Sequence, residues 1–385
     1  MKVSERVEGI APSGSIQISA QITNLRNQGK DIIGLNIGEP DFLPKESILE
    51  AIYEALKKGK TKYSSVSGEP ELRQAIASYF NKRCNTQIGP QNILVGNGSK
   101  QIIFNSFQSI LDEGDEVIVP IPYWVTIPES IKLAGGKSVF VNSQEDFHLD
   151  LDAIKNAITP KTKAIYINTP NNPSGAVYTR KELTELGELA IAHDLIIVSD
   201  EAYESLTYDC EFVSPLMLGK EIADRSISIQ SFSKSFCMTG FRVGYMIAKE
   251  EFIKKVDSFQ GHLCGNIPPF TQYGAINAIE HSDEIIGDML KTMHERKTRA
   301  YELFSQLFKV SKPQGAFYLF LDIKPFIEKG IVKDSIEMVQ KLIEEAGVAL
   351  VPGKFFGQDD YIRLAFTDSV ERIEQAYENI KKVLC

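Results

Sequence analysis

Lys234 closes the short apolar run SISIQSFSK (Ser226 to Lys234), and Arg242 follows eight residues later in SFCMTGFRVGY. A buried strand that delivers a lysine to its exposed end places an amine where desolvation and nearby cations lower its pKa and free its lone pair. Schiff-base chemistry is the work such an amine suits. Arg242 would supply a planar fork for a phosphate bound beside it. Asp200 directly follows a second apolar run, LIIVS, and a carboxylate there is costly to bury unless paired. A protonated pyridine nitrogen would pair it; the competing reading is a helix N-cap, a role Asp favours. Tyr203 and the amides of Asn171 and Asn172 could then share a ring hydroxyl oxygen.

Two further features point to the same chemistry without requiring it. GNGSK (Gly96 to Lys100) joins the NILV strand to a helix, and glycines there let backbone N–H groups approach a phosphate. It departs from a Walker loop, which needs GxxxxGK followed by Ser or Thr. Trp124, the single tryptophan, follows the DEVIVP run and could stack on a planar heterocycle, although a lone Trp is more commonly a core aromatic. His148, His193, His262, His281 and His294 have no metal-ligand spacing and read as structural. No metal site is expected. Ser231, Ser233 and Ser235 lack the GxSxG elbow of a hydrolase.

The elements that must position these residues are legible between about residues 90 and 250. There β-rich runs (NILV, DEVIVP, KSVFV, KAIYIN, DLIIVS, SISIQ, VGYMIA) alternate with helical patterns. That alternation predicts an α/β fold with a mostly parallel sheet covered on both faces. Leu183, Leu186, Leu189 and Ala190 fall at helical spacing between Thr179 and His193. In open α/β sheets ligands bind beyond the carboxyl ends of the strands, where TPNNPSG, DEAY and SFSK all lie. Beyond Ser282 the pattern becomes a long helix, YLFLDI, a helix near Ser335 to Ala346, IRLAF and a final helix. We expect a large domain over 45–282 and a discontinuous small α+β domain formed by 1–44 and 283–385.

Composition narrows the function further. A net charge of −9 with no run of like charges argues against nucleic-acid or anionic-membrane partners. Five scattered cysteines without a CxxC pair suggest neither disulfides nor zinc and fit a reducing cytoplasm. No stretch approaches the ~18 apolar residues of a membrane helix, and the N-terminus lacks an apolar leader core. A soluble, unprocessed protein is expected.

Together these segments resemble the fold-type I pyridoxal 5'-phosphate (PLP) aminotransferases of class I/II, most closely their bacterial and archaeal aspartate aminotransferase branch. The resemblance runs through GEPDF, TKYSSVSGEPELRQAIA, DEVIVPIPYW, NTPNNPSGAVY, SDEAYE, SFSKSFCMTGFRVGY, PQGAFY, GVALVPGKFFG and YIRLAF in order. It implies a PLP-transferase fold with a seven-stranded sheet. Lys234 matches the lysine that binds the cofactor covalently and shuttles the proton, and Asp200 the aspartate on the pyridine nitrogen. Tyr203 and Asn172 match the pair on the ring oxygen, Trp124 the stacking aromatic, and Gly98, Ser99, Ser231 and Arg242 the phosphate cradle. Tyr63 matches a tyrosine that reaches the neighbouring subunit's phosphate, implying a homodimer with shared active sites. Arg363 matches the clamp on the substrate α-carboxylate, with Gly38 and Asn172 beside it.

For the side chain, Lys100 matches a lysine that reads a second carboxylate, and Ser13 and Ser15 match a nearby Ser/Thr pair. Aspartate or glutamate, exchanged with a 2-oxo acid such as 2-oxoglutarate by ping-pong kinetics, is the expected chemistry. The segment FQGHLCGNIPPF has neither the arginine that some enzymes of the family use for the distal carboxylate nor the Ser/Thr-rich equivalent of the close branch, carrying His262, Cys264 and Asn266 instead, and Ser174 stands where Thr is commoner. Aromatic or prephenate-type substrates therefore stay open, as does a PLP lyase. A DNA-binding regulator lacks a fitting helix-turn-helix, and a dehydrogenase lacks GxGxxG.

Overall fold

The computed structural model describes every residue except 1, 12 and 13, and the side chains of 15 to 17 also lie outside the description. The expectation for Ser13 and for the side chain of Ser15 falls on these residues. Seven strands form the large sheet: β1 (Ile93–Gly96), β2 (Glu116–Ile121), β3 (Lys137–Asn142), β4 (Thr162–Asn168), β5 (Ile196–Asp200), β6 (Ser226–Ser231) and β7 (Gly244–Ile247). Their order is β1-β7-β6-β5-β4-β2-β3. β3, β2, β4, β5 and β6 pair in parallel, while β7 runs antiparallel to both of its neighbours.

The apolar runs are nearly continuous because both faces of the sheet are covered. On one face Ile102, Ile103 and Phe107 of helix α1 (Gly98–Ile110) pack against Val117, Val119, Tyr166 and Val198. On the other, Leu183, Leu186 and Ala190 of helix α2 (Arg180–Ala192) meet Ile118, Ile165 and Ile197. Each such aliphatic or aromatic side chain contributes about 1.5–3 kcal/mol on burial. α2 begins where Thr179 and Glu182 form a capping box, and His148 holds the same Glu182 carboxylate at 2.9 Å. His148 is thereby a structural residue, as its spacing suggests.

A second, antiparallel sheet of four strands comprises β8 (Lys309–Val310), β9 (Tyr318–Asp322), β10 (Val351–Pro352) and β11 (Tyr361–Ala365), ordered β10-β11-β9-β8. The long helix expected after Ser282 spans Ser282–Phe304, and Ser335–Lys341 and Val370–Leu384 supply two further helices. Ile33 and Gly34 pair in parallel with Val348 and Ala349, and Ile22, Ile32 and Leu35 join the core built by these later elements. In β11, Arg363 lies opposite Phe320 of β9 and Val351 of β10.

Candidate active site

At the large sheet's carboxyl end a cleft of ≈ 370 Å³ opens between the two sheets, a size typical of small-ligand sites. Its wall includes Gly38, Ser99, Lys100, Trp124, Asn172, Asp200, Tyr203, Ser231, Lys234, Arg242 and Arg363. Of the residues singled out in sequence, Gly98 underlies this wall, Tyr63 lies outside it, and so does Asn171, whose amide is used locally on the Pro122 carbonyl and Ser174.

Lys234 occupies a position different from the expected one. It stands inside a short helical turn, Phe232–Ser235, rather than at the exposed end of β6, because the Ser231 hydroxyl accepts the Ser233 N–H at 3.1 Å and starts the turn. Its amine is partly buried and donates to the Gly38 carbonyl at 2.6 Å. Burial pulls the Lys234 pKa down to about 8; Glu39 opposes that shift, and Arg363 and Arg242 add to it. An amine lowered in this way is less fully protonated near neutral pH than an ordinary lysine.

Asp200 ends β5 without capping a helix, and only 4% of it is exposed. Its Oδ1 accepts the Ala202 N–H and its Oδ2 the Tyr166 hydroxyl, both at 3.2 Å. Burial raises its pKa to about 6, against the pull of those two donors. A cation in the cleft would reverse that shift.

The anion end is built around α1. No side chain caps this helix, so its first N–H groups remain for a ligand. Gly98 has φ 76°, and a Cβ there would sit 2.6 Å from an Arg242 nitrogen, so only glycine lets the arginine cross the helix start. Arg242 itself adopts φ 56°, a conformation costing roughly 1–2 kcal/mol for a side-chain-bearing residue. Its guanidinium donates to the Thr239 carbonyl at 2.9 Å and forms no ion pair among the described residues.

Arg363 is an enclosed cation. It donates to Asn172 Oδ1 at 3.1 Å and to the Asn36 carbonyl at 2.8 Å, while its Nε is buried without a partner. The rings of Tyr318 and Phe356 hold it, 4.5 and 5.1 Å from its guanidinium carbon. Lys100, some distance away, lies over the Trp124 ring at 5.1 Å, and burial followed by Arg242 lowers its pKa. Among the described residues no group of three or more His, Cys, Asp or Glu side chains could hold a metal.

An uncapped helix start with an arginine across it, a buried carboxylate with a raised pKa and an amine held near 8 fit a phosphorylated pyridine aldehyde. Comparison with known proteins settles the lineage. Residues 30–380 match the family described as aminotransferase class I and II. This chain belongs to that family. It is 41% identical to the aspartate aminotransferase of Bacillus subtilis, across 99% of this chain and 98% of that one. It is 40% identical to the probable aspartate/prephenate aminotransferase of Aquifex aeolicus, with coverage of 99% and 98%. The solved aspartate aminotransferase of Thermus thermophilus with maleate superposes with a TM-score of 0.95 at 38% identity, covering 100% of both chains. The aminotransferase has the fold type I architecture and is a PLP-dependent transaminase.

Sequence reasoning missed two phenols of the aminotransferase site. Tyr318, 1% exposed, lines the cleft, shares a 2.8 Å hydrogen bond with the Tyr203 hydroxyl and roofs Arg363. Tyr166 reaches Asp200 from within the core. Both sit in apolar runs where an aromatic reads as packing. For Tyr166 a signal existed: it lies two residues before Asn168, hence on the same strand face, in a run that ends in polar groups.

Proposed function

We propose that this aminotransferase exchanges the amino group of aspartate or glutamate with a 2-oxo acid such as 2-oxoglutarate in a ping-pong cycle. One observation carries the choice: the cleft has two separate cationic ends, Arg363 and Lys100. A dicarboxylate would put its α-carboxylate on the Arg363 fork and its distal carboxylate toward Lys100. The names of the Bacillus and Thermus relatives agree with this reading.

PLP, when bound, supplies an electron-withdrawing ring that stabilises the charge left as the Cα proton departs. Gly98, Ser99, Ser231 and Arg242 would hold its phosphate, Trp124 would stack on the ring, and Tyr203 and Asn172 would donate to the ring oxygen. Asp200 would keep the ring nitrogen protonated. Lys234 would hold the aldehyde and then carry the proton, a role suited to an amine whose pKa is about 8. Arg363 fixes the donor's orientation, and the Asn172 oxygen that now accepts from Arg363 keeps that fork in plane.

Tyr63 is 99% exposed in the single chain, which supports a homodimer in which it serves the neighbour's site. The separate sheets support the division into a domain over 45–282 and another over 1–44 and 283–385. We place the enzyme in the cytoplasm, with no nucleic-acid or membrane partner; its cysteines are free, and no helix among the described residues is long and apolar enough to cross a membrane. A second reading, use of prephenate as well, is favoured by the names of the Aquifex and Thermus relatives.

The test is the visible spectrum of the holoenzyme as aspartate, glutamate, phenylalanine, tyrosine and alanine are added one at a time. Conversion to the aminated cofactor with the acidic donors alone supports a dicarboxylate enzyme. Equal conversion by aromatic donors supports the broader reading, and no response to aspartate or glutamate overturns the proposal.

A further inference from the structure

Tyr166 stands on β4 beside Asp200 in the sheet, where the register sets Tyr166 opposite Val198 and Asn168 opposite Asp200. Its ring, 2% exposed, belongs to the core with Phe107, Val117 and Val198 and takes no part in the cleft wall. Phenylalanine would fill the same space. The hydroxyl is therefore what needs explaining, and it donates to Asp200 Oδ2 at 3.2 Å. The bland account is that a buried phenol took the nearest acceptor. Geometry argues for more: the bond reaches Asp200 from below the cleft, and with the Ala202 N–H on Oδ1 each carboxylate oxygen has one protein donor. Lone pairs on both oxygens stay available to the cleft.

We propose that Tyr166 is a positioning residue for transamination, its hydroxyl holding the Asp200 carboxylate ionised and aimed at the cofactor's pyridine nitrogen. The inference rests on the reading of Asp200 given above. A donor to the charged form favours that form, and here it works against burial. The phenol stays a donor throughout, since burial and then the Asp200 charge drive its own pKa well above 10. The other ionisable groups of the surrounding wall are Tyr203 beyond β5, Tyr318 of β9, Lys234 after β6, Lys100 on α1, and Arg242 and Arg363. Glu201 faces the opposite side, bonded to Ser214, Ser228 and Gln230, and Tyr178 lies behind Tyr166.

The experiment titrates the apoprotein with PLP from about pH 5 to 9, reading the fluorescence of the single tryptophan, Trp124. Parent, Tyr166→Phe and Asp200→Asn are compared, the ligand's own titrations being common to all. In the parent, affinity should fall on the acid side as Asp200 is protonated. Tyr166→Phe should weaken binding about tenfold near pH 7 and move that acid limb to higher pH. Asp200→Asn should lose the limb. Should Tyr166→Phe fold poorly, Tyr166→Leu also lacks the hydroxyl and should show the same upward move. An unmoved limb in the hydroxyl-less variants, with the limb lost in Asp200→Asn, overturns the role of Tyr166. A limb that persists in Asp200→Asn overturns the reading of Asp200 itself.

Discussion

Asp200 and Glu201 leave β5 one after the other, both buried, and meet opposite surroundings. Asp200 turns to the cleft, with one protein donor on each oxygen. Glu201 turns to the other face, where Ser228 and Gln230 donate to one oxygen at 2.7 and 2.6 Å and Ser214 to the other at 2.9 Å. The same contrast extends outward. On the sealed side Glu204 has Arg83 at 2.9 Å and the Tyr79 hydroxyl. On the cleft side Lys234 and Arg363 have carbonyl and amide partners but no carboxylate within ion-pair distance among the described residues. Burial alone thus does not mark a functional charge. A charge enclosed with its counter-charge missing does, because its desolvation is offset only when ligand arrives.

The contrast can be broken most directly at Lys234. Lys234→Ala should abolish turnover of aspartate in a single-turnover spectral assay, while the thermal midpoint of the apoprotein holds or rises because an uncompensated ammonium has gone. Retained turnover would falsify the assignment of the amine. Arg363→Ala should weaken every amino donor by about 2–5 kcal/mol, read from kcat/KM across acidic and aromatic donors. A loss confined to one donor class would mean that Arg363 reads the side chain instead. Asp200→Asn should lower kcat roughly a hundredfold, whereas Glu201→Gln should leave it within a few-fold, since burial raises the Glu201 pKa to about 8 and keeps the group largely neutral at pH 7. Comparable losses in both variants would erase the distinction between the two faces. Lys100→Ala should cost aspartate and glutamate about tenfold more than phenylalanine, or about 1.4 kcal/mol, and equal losses would remove Lys100 from the specificity argument.

The smallest effect is on stability. Glu201 is raised from an ordinary 4.5 to about 8 in the folded chain. Its contribution is complete below pH 4.5, where both states hold the proton, and is lost as pH rises toward 8 because only the unfolded chain releases it. Apoprotein melting should therefore decline across that window, and Glu201→Gln should flatten the decline. An identical slope in the variant would place the pH dependence elsewhere.

Much of this was legible before any coordinates. All seven large-sheet strands and the helix after Gly98 announce themselves through apolar runs ended by polar clusters, and the helix after Thr179 through its leucine spacing. Lys234, Asp200, Tyr203 and Asn172 could be picked out from the polar clusters that end apolar runs, whereas Arg363 was placed only through the family resemblance. Lys234 still came out differently, enclosed in a helical turn, since the Ser231 cap that makes the turn is a local hydrogen bond that residue type alone does not force. Tyr318 was silent because a phenol in a strand looks like core until its hydroxyl has a partner, and for Tyr166 the one signal was its shared strand face with Asn168.

The sequence by itself determined the layered α/β architecture and the chemical types gathered at the strand ends, because periodicity and punctuation are local properties of the chain. Tertiary structure alone decided which of those groups face one another. The order β1-β7-β6-β5-β4-β2-β3 sets residues 93–96 beside 244–247, puts Tyr166 under Asp200, and brings Arg363 of the second sheet over the cleft. Pairings of such sequence separation follow from the summed packing of whole layers, and it is those pairings that leave Asp200, Lys234 and Arg363 at the cleft without an ion-pair partner while Glu201 has donors on both oxygens.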